Sequence, residues 1–261
     1  MDAGSFYPFV LALLAALTAG LIGCFALMRR MSLAGDAISH IALPGLGLAF
    51  LFKFNPLLGA AATLLLGALL VWQLEQRTGL DTEAVVGVVF TASLALGALI
   101  TPGNDLVEAL FGGFHQPSPS EFIFAAVVGV AVLAGLFHWK DQFLIHLFSP
   151  ELAAASGLRR SRLNLIFLLM FTATVLLGLR FLGALLAGAL IVIPATVARQ
   201  WTQRLSAFLA ISAAVSVFSV GAGLGLAHWG RLQQGPVVVI IAAILFLASL
   251  ISVRKARRSV A

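Results

Sequence analysis

Residues 6–30 read FYPFVLALLAALTAGLIGCFALMRR. From Phe6 to Leu27 no side chain carries a charge, and Arg29 and Arg30 follow almost at once. A bilayer core about 30 Å thick needs roughly 20 such residues in a helix. Lipid offers no hydrogen-bond partner to an exposed backbone amide, so a lone strand could not take this run across. The stretch is too long for the h-region of a cleavable signal, and no Lys or Arg precedes it. It reads as a first membrane span whose Arg-flanked end lies in the cytoplasm.

The same template, moved along the 261 residues, predicts eight further spans. They fall near Ala37–Phe52, Leu57–Leu74, Ala84–Thr101, Phe122–Trp139, Leu163–Leu179, Phe181–Ala198, Leu205–Ala227 and Pro236–Val253. Almost no loop separates the two spans around Arg180, which leaves eight or nine as the count. The expected fold is therefore all-α, a polytopic integral membrane protein of about 8–9 transmembrane helices. Composition agrees, with 61% hydrophobic and only 10% charged residues, where soluble domains carry about 25% charged. Disorder needs the opposite balance, and one cysteine, Cys24, cannot form an internal disulfide. No polar linker divides the chain, so a single transmembrane domain over residues 1–261 is expected.

A net charge of +6 invites a nucleic-acid partner until the basic residues are placed. With nine spans and an outside N-terminus, 13 of the 16 fall in the cytoplasm; only Lys53, Arg180 and Arg231 fall outside. Topology explains the charge, and no nucleic acid is implied. The cluster at Arg254–Arg258 reads as a stop-transfer signal. No GxxxxGK[ST] phosphate loop, HExxH zinc helix or GxSxG elbow is present. Any ATP-driven work falls to another chain, and the protein is not expected to be an enzyme.

Ionisable groups inside spans are costly, so they are functional candidates by default. Asp36 and His40 stand four residues apart at the start of the second span, on one face of a helix. Carboxylate and imidazole so placed can share a divalent ion, as imidazole suits zinc or iron and carboxylate suits harder ions such as manganese. Ser32 and Ser39 could support them with hydrogen bonds. The plainer alternative is that Asp36 caps the helix and His40 packs near the headgroups. Pro44, Gly45 and Gly47 interrupt the span, and Pro194 stands in the seventh; in transporters, broken spans mark the substrate path.

The run Arg29–Gly45, RRMSLAGDAISHIALPG, resembles the signature of the metal-ion (zinc, manganese or iron) ABC transporter permeases. The segments Asp105–Gly112 (DLVEALFG) and Gly183–Arg199 (GALLAGALIVIPATVAR) resemble two further stretches of that family. The family's zinc branch often has Leu where Pro44 stands, and its manganese and iron branch commonly has Pro. The resemblance implies a homodimer of permease chains in a prokaryotic cell membrane. A separate cytoplasmic ATP-binding subunit would drive alternating access, and an extracytoplasmic metal-binding protein would deliver the ion. It maps Asp36 and His40 onto the translocation path. The metal is cargo, zinc or manganese by preference, and no cofactor is bound permanently.

Within the cytoplasmic segment 140–162, Ser149 at an N-cap, Pro150 at N1 and Gly157 past the end bound one short helix. With Glu151, Leu152 and Ala154 it resembles the coupling helix by which such permeases dock on their ATPase; a surface connector is the alternative. Outside, Asp105, Glu108, His115 and Glu121 form an acidic loop, which either attracts cations at the pore mouth or is simply a solvated loop with ordinary charges. His138, His146, His228 and Cys24 read as interfacial or core residues. Gly221 and Gly225, like Ala184 and Gly188, have the spacing that lets helices approach. Two rivals remain. A self-sufficient secondary transporter or channel for a divalent cation would need coupling groups beyond Asp36 and His40. An intramembrane metalloenzyme would need at least three ligands in one place.

Overall fold

The computed structural model describes residues 3–101, 118–182 and 184–258. Among them are eleven helices and no strand. They are α1 (Ala3–Met28), α2 (Ala34–His40), α3 (Leu43–Phe52), α4 (Pro56–Thr78), α5 (Thr82–Ile100), α6 (Pro119–Phe148), α7 (Pro150–Ala155), α8 (Arg160–Leu182), α9 (Ala184–Trp201), α10 (Leu205–Gly230) and α11 (Gln234–Arg258). Eight segments among the described residues are long and apolar enough to cross a membrane, with α2 and α3 counting together as one.

The second span is two helices. Pro44 has no N–H to return to the carbonyl of His40, and its ring would crowd that carbonyl in a continuous α-helix. The chain answers with tight turns, Ile41 N–H bonding to the Ile38 carbonyl at 3.0 Å and Ala42 N–H to Ser39 at 3.3 Å. Pro44 then lies in the first turn of α3, where its missing donor costs nothing. The break therefore falls at Ile41–Ala42, just before the Pro44–Gly45 pair expected to carry it. Gly45 serves a different purpose: a Cβ there would run into the backbone of Gly59, so it lets α3 and α4 touch. Pro194 corrects its expectation outright. It sits inside α9, and the helix continues through it.

Helices also outlast the apolar runs that announced them. α6 is 30 residues, about 45 Å, so it passes well beyond the expected end at Trp139. Residues 140–148 of the expected cytoplasmic loop are helical, because a helix satisfies its own backbone and needs no lipid to persist. Likewise α4 continues past Leu74 through Glu75 and Arg77 to Thr78. Between α8 and α9 the chain doubles back. A Cβ on Gly178 would meet Ala187 at 3.3 Å, although nine residues of continuous helix would separate them by about 13 Å.

The core lies where α1 packs against α8, α9 and α10. Ala16, Ala19, Ile22, Phe167, Phe171 and Ile191 are buried there. Hydroxyls lock α10 to α1: Ser212 Oγ donates to the Gly20 carbonyl at 2.7 Å and Ser216 Oγ to Ala16 at 2.6 Å. Gly221 and Gly225, expected at a helix contact, face open space, while Gly223 between them packs on Val238 of α11. A glycine pair in sequence does not say which side of the helix meets its neighbour.

Candidate functional site: a carboxylate–imidazole pair on a broken span

The segment bearing Asp36 is positioned from both ends. Arg30 adopts a left-handed conformation (φ 60°) that ends α1 sharply, and Met31 N–H closes the turn on the Ala26 carbonyl at 2.9 Å. After the turn, α2 packs against α5, α8 and α9. Gly188 of α9 touches the backbone at Gly35 and Asp36. Gly188 was expected at a helix contact, and this is the contact.

Asp36 Oδ1 stands 3.7 Å from His40 Nε2, in ion-pair range and too far for a hydrogen bond. The two side chains differ in exposure, 58% for Asp36 against 11% for His40. His40 Nδ1 is buried with no hydrogen-bond partner among the described residues, and the ring packs on Phe90 of α5 at 5.6 Å. Helix capping is not what Asp36 does. The N-cap of α2 is Leu33, no side chain caps it, and Asp36 lies inside the first turn. Ser39 Oγ donates to the Asp36 backbone carbonyl at 2.7 Å. A divalent ion about 2.1 Å from each atom would see Oδ1 and Nε2 at about 124°, so the pair would close by about 0.3 Å to reach a tetrahedral angle. Two ligands make an incomplete shell, and no group of three or more His, Cys, Asp or Glu residues that could hold a metal occurs among the described residues.

The short helix expected between residues 149 and 157 folds as its turn chemistry requires. Ser149 accepts the first helical bond, from Ala153 N–H at 3.0 Å, with Pro150 first in α7. Gly157 is left-handed (φ 73°), and Leu158 N–H reaches back to the Ala153 carbonyl at 3.0 Å. Leu152 is 61% exposed beside exposed Glu151, Ala155 and Ser156; Ala153 alone of the described side chains in α7 turns inward. In the acidic loop, Asp105, Glu108 and His115 lie outside the described residues. Glu121 is in a capping box with Ser118 and accepts from Asn55 Nδ2 at 3.2 Å.

A second polar constellation had no forecast. Glu75 and Asn164 are buried, 7% and 5% exposed. Arg29 Nη1 donates to Asn164 Oδ1 at 2.9 Å, and Asn164 Nδ2 donates to Glu75 Oε2. The Arg29 guanidinium lies 4.1 Å from the Phe167 ring centre and 5.4 Å from that of Phe143. Burial draws its pKa down to about 10, against the pull of Glu75; it remains a cation at neutral pH. Arg29 read as a topology signal and Glu75 as a loop acid. The available clue was Asn164, an amide set in the otherwise apolar run LNLIFLLMF.

A polytopic helical bundle with a broken span, carrying a carboxylate–imidazole pair, has the form of a transport permease. The chain matches the ABC 3 transport family over residues 6–253 and belongs to it. It is 29% identical to the manganese transport system membrane protein MntC of Listeria monocytogenes, covering 88% of this chain and 84% of that one. To the high-affinity zinc uptake system membrane protein ZnuB of Haemophilus influenzae it is 30% identical, over 88% and 90%. Among solved structures it is similar to PsaBC of Streptococcus pneumoniae in complex with Fab, with a TM-score of 0.81, 26% identity, and 95% and 91% coverage.

Proposed function

We propose that this chain is the transmembrane permease subunit of an ATP-driven importer of a divalent metal, manganese or zinc. It works as a homodimer in the cell membrane of a prokaryote, as one domain over residues 1–261. A cytoplasmic ATPase docks on α7 and an extracytoplasmic protein delivers the ion. The observation that carries the reading is the Asp36–His40 pair. One member is half in the open, the other is buried with an unpartnered ring nitrogen, and both lie just before the break in a span. A buried polar atom without a partner is costly, and a break frees backbone carbonyls beside the pair. An incomplete protein shell suits an ion that must leave again, since a full cage would retain it. Family membership and relatives named for manganese and zinc support the cargo class.

The test is reconstitution of the chain in liposomes with its ATPase and binding protein, following manganese and zinc uptake with and without ATP. ATP-dependent accumulation of either ion supports the reading. Accumulation at equal rate without the ATPase would favour a self-sufficient transporter instead.

A further inference from the structure

The Arg29–Asn164–Glu75 cluster joins the places where the proposed work is done. Asn164 is in the second turn of α8, and only residues 156–159 separate α8 from α7. Arg29 is seven residues before Asp36, across the tight Arg30 turn. Glu75 is on α4, and Trp72, one turn earlier, fastens the same end of α8 by donating from Nε1 to the Ser161 carbonyl at 2.9 Å. The start of α8 is thus tied to the α1–α2 turn and to α4 through buried polar contacts.

The cluster is built unlike a cluster that serves stability alone. Arg29 and Glu75 make no ion pair within 4.0 Å; the Asn164 amide stands between them, accepting from one and donating to the other. Arg29 Nη2 is buried and unpartnered among the described residues. Half-satisfied networks are expensive in a low-dielectric interior. A small displacement of α8 that withdraws Asn164 would let the guanidinium close directly on the Glu75 carboxylate and use its spare donor. The ring of Phe143, on α6, would hold the cation in either position, while Phe167, on α8, moves with Asn164. Two discrete arrangements of one buried charge pair are what a switch between sites requires.

We propose that Arg29, Asn164 and Glu75 are positioning residues forming a two-state joint between α7 and the Asp36–His40 segment. The amide-bridged arrangement is one state and a direct Arg29–Glu75 ion pair the other. The proposal rests on the functional reading above, since it presumes docking at α7 and metal at α2.

The test compares ATP hydrolysed with metal transported by the complete complex in liposomes. Asn164→Leu removes the bridge and leaves both charges free to pair. Hydrolysis should continue within about twofold of wild type, while metal moved per ATP falls about tenfold. Glu75→Gln keeps an acceptor for Asn164 but removes the competing ion pair, so hydrolysis and uptake should slow together with their ratio kept. If Asn164→Leu does not assemble, Asn164→Ser, too short to bridge both partners, should show the same uncoupling. A purely structural cluster predicts that all variants lose both activities in parallel. That result, or an unchanged ratio in the Asn164 variants, overturns the joint while leaving the functional reading intact. Failure of the wild-type complex to move metal overturns both.

Discussion

Gly188 and Asp36 meet backbone to backbone: a Cβ on Gly188 would stand 2.5 Å from the Asp36 amide nitrogen and 2.6 Å from its Cα. The proposed metal segment is therefore held in register by the absence of a side chain on α9. Gly188→Ala should force the two helices apart, at a cost of about 1–3 kcal/mol for overpacking. Uptake should fall at least tenfold, because carboxylate and imidazole move relative to the path. Gly221→Ala on α10, where a Cβ meets nothing within 4 Å, is the control and should leave transport unchanged. Uptake assays beside thermal unfolding of both variants decide it. Equal behaviour of the two would show that the Gly188 contact does not position the site.

Leu152 presents an exposed apolar side chain on α7 that the permease alone does not need. Leu152→Glu should leave the permease's own stability within about 0.5 kcal/mol, as expected for an exposed position. It should nonetheless cut co-purification of the ATPase at least tenfold, since an unpaired charge in an apolar groove is not tolerated. Quantitative pull-down from membranes measures this. Undiminished ATPase recovery would make α7 a connector only.

These two sites were legible to different degrees. Spacing places Asp36 and His40 on one face of a helix but leaves a capping Asp36 and a packed His40 open; the Pro- and Gly-broken span and the resemblance of residues 29–45 to the family signature are what weigh against that. α7 is more directly readable, since Ser149, Pro150 and Gly157 are local signals acting on the residues beside them. Helix ends were not legible. An apolar run marks the part of a helix that suits lipid, and Lys140–Phe148 shows that the helix goes on past the first charges. The Arg29–Asn164–Glu75 cluster was hidden for another reason. Glu75 and Asn164 are 89 residues apart, and only the packing of α4 on α8 turns an ordinary acid beside Arg77 into a buried one. Pro194 misled because proline in a membrane helix can be accommodated by neighbours; at Pro44 the same residue shares its span with an actual break.

Orientation has a clean test because the single cysteine is buried. Cys24 is 0% exposed within the bundle, so a thiol introduced elsewhere is labelled without background. With the Arg-flanked end of α1 inside, Phe54, between α3 and α4, faces out and Leu80, between α4 and α5, faces in; both are exposed. A membrane-impermeant maleimide should modify Phe54→Cys in intact cells and Leu80→Cys only after permeabilisation. The reverse pattern would invert the bundle, and with it the assignment of α7 to the ATPase side.

The 3.7 Å between Asp36 and His40 makes the sharpest demand. Asp36→Asn preserves volume and removes the charge; His40→Ala removes the nitrogen donor. Asp36 is exposed, and α2 is anchored by its backbone to Gly188 and by the Arg30 turn. Neither change should therefore unfold the chain or release the ATPase. If both atoms hold the passing ion, each single variant should lower uptake by at least a hundredfold, and the double variant should do little worse. Groups that act on one ion are not additive, because the site is already lost with the first. Residual transport should also change its preference. Asp36→Asn keeps the imidazole and should retain zinc relative to manganese, whereas His40→Ala keeps the carboxylate and should shift the balance the other way. Competition between the two metals in reconstituted liposomes reads both effects at once. Losses that simply multiply in the double variant would show two independent contributions to folding or gating. Near-normal uptake by the double variant would remove the pair from the metal's path.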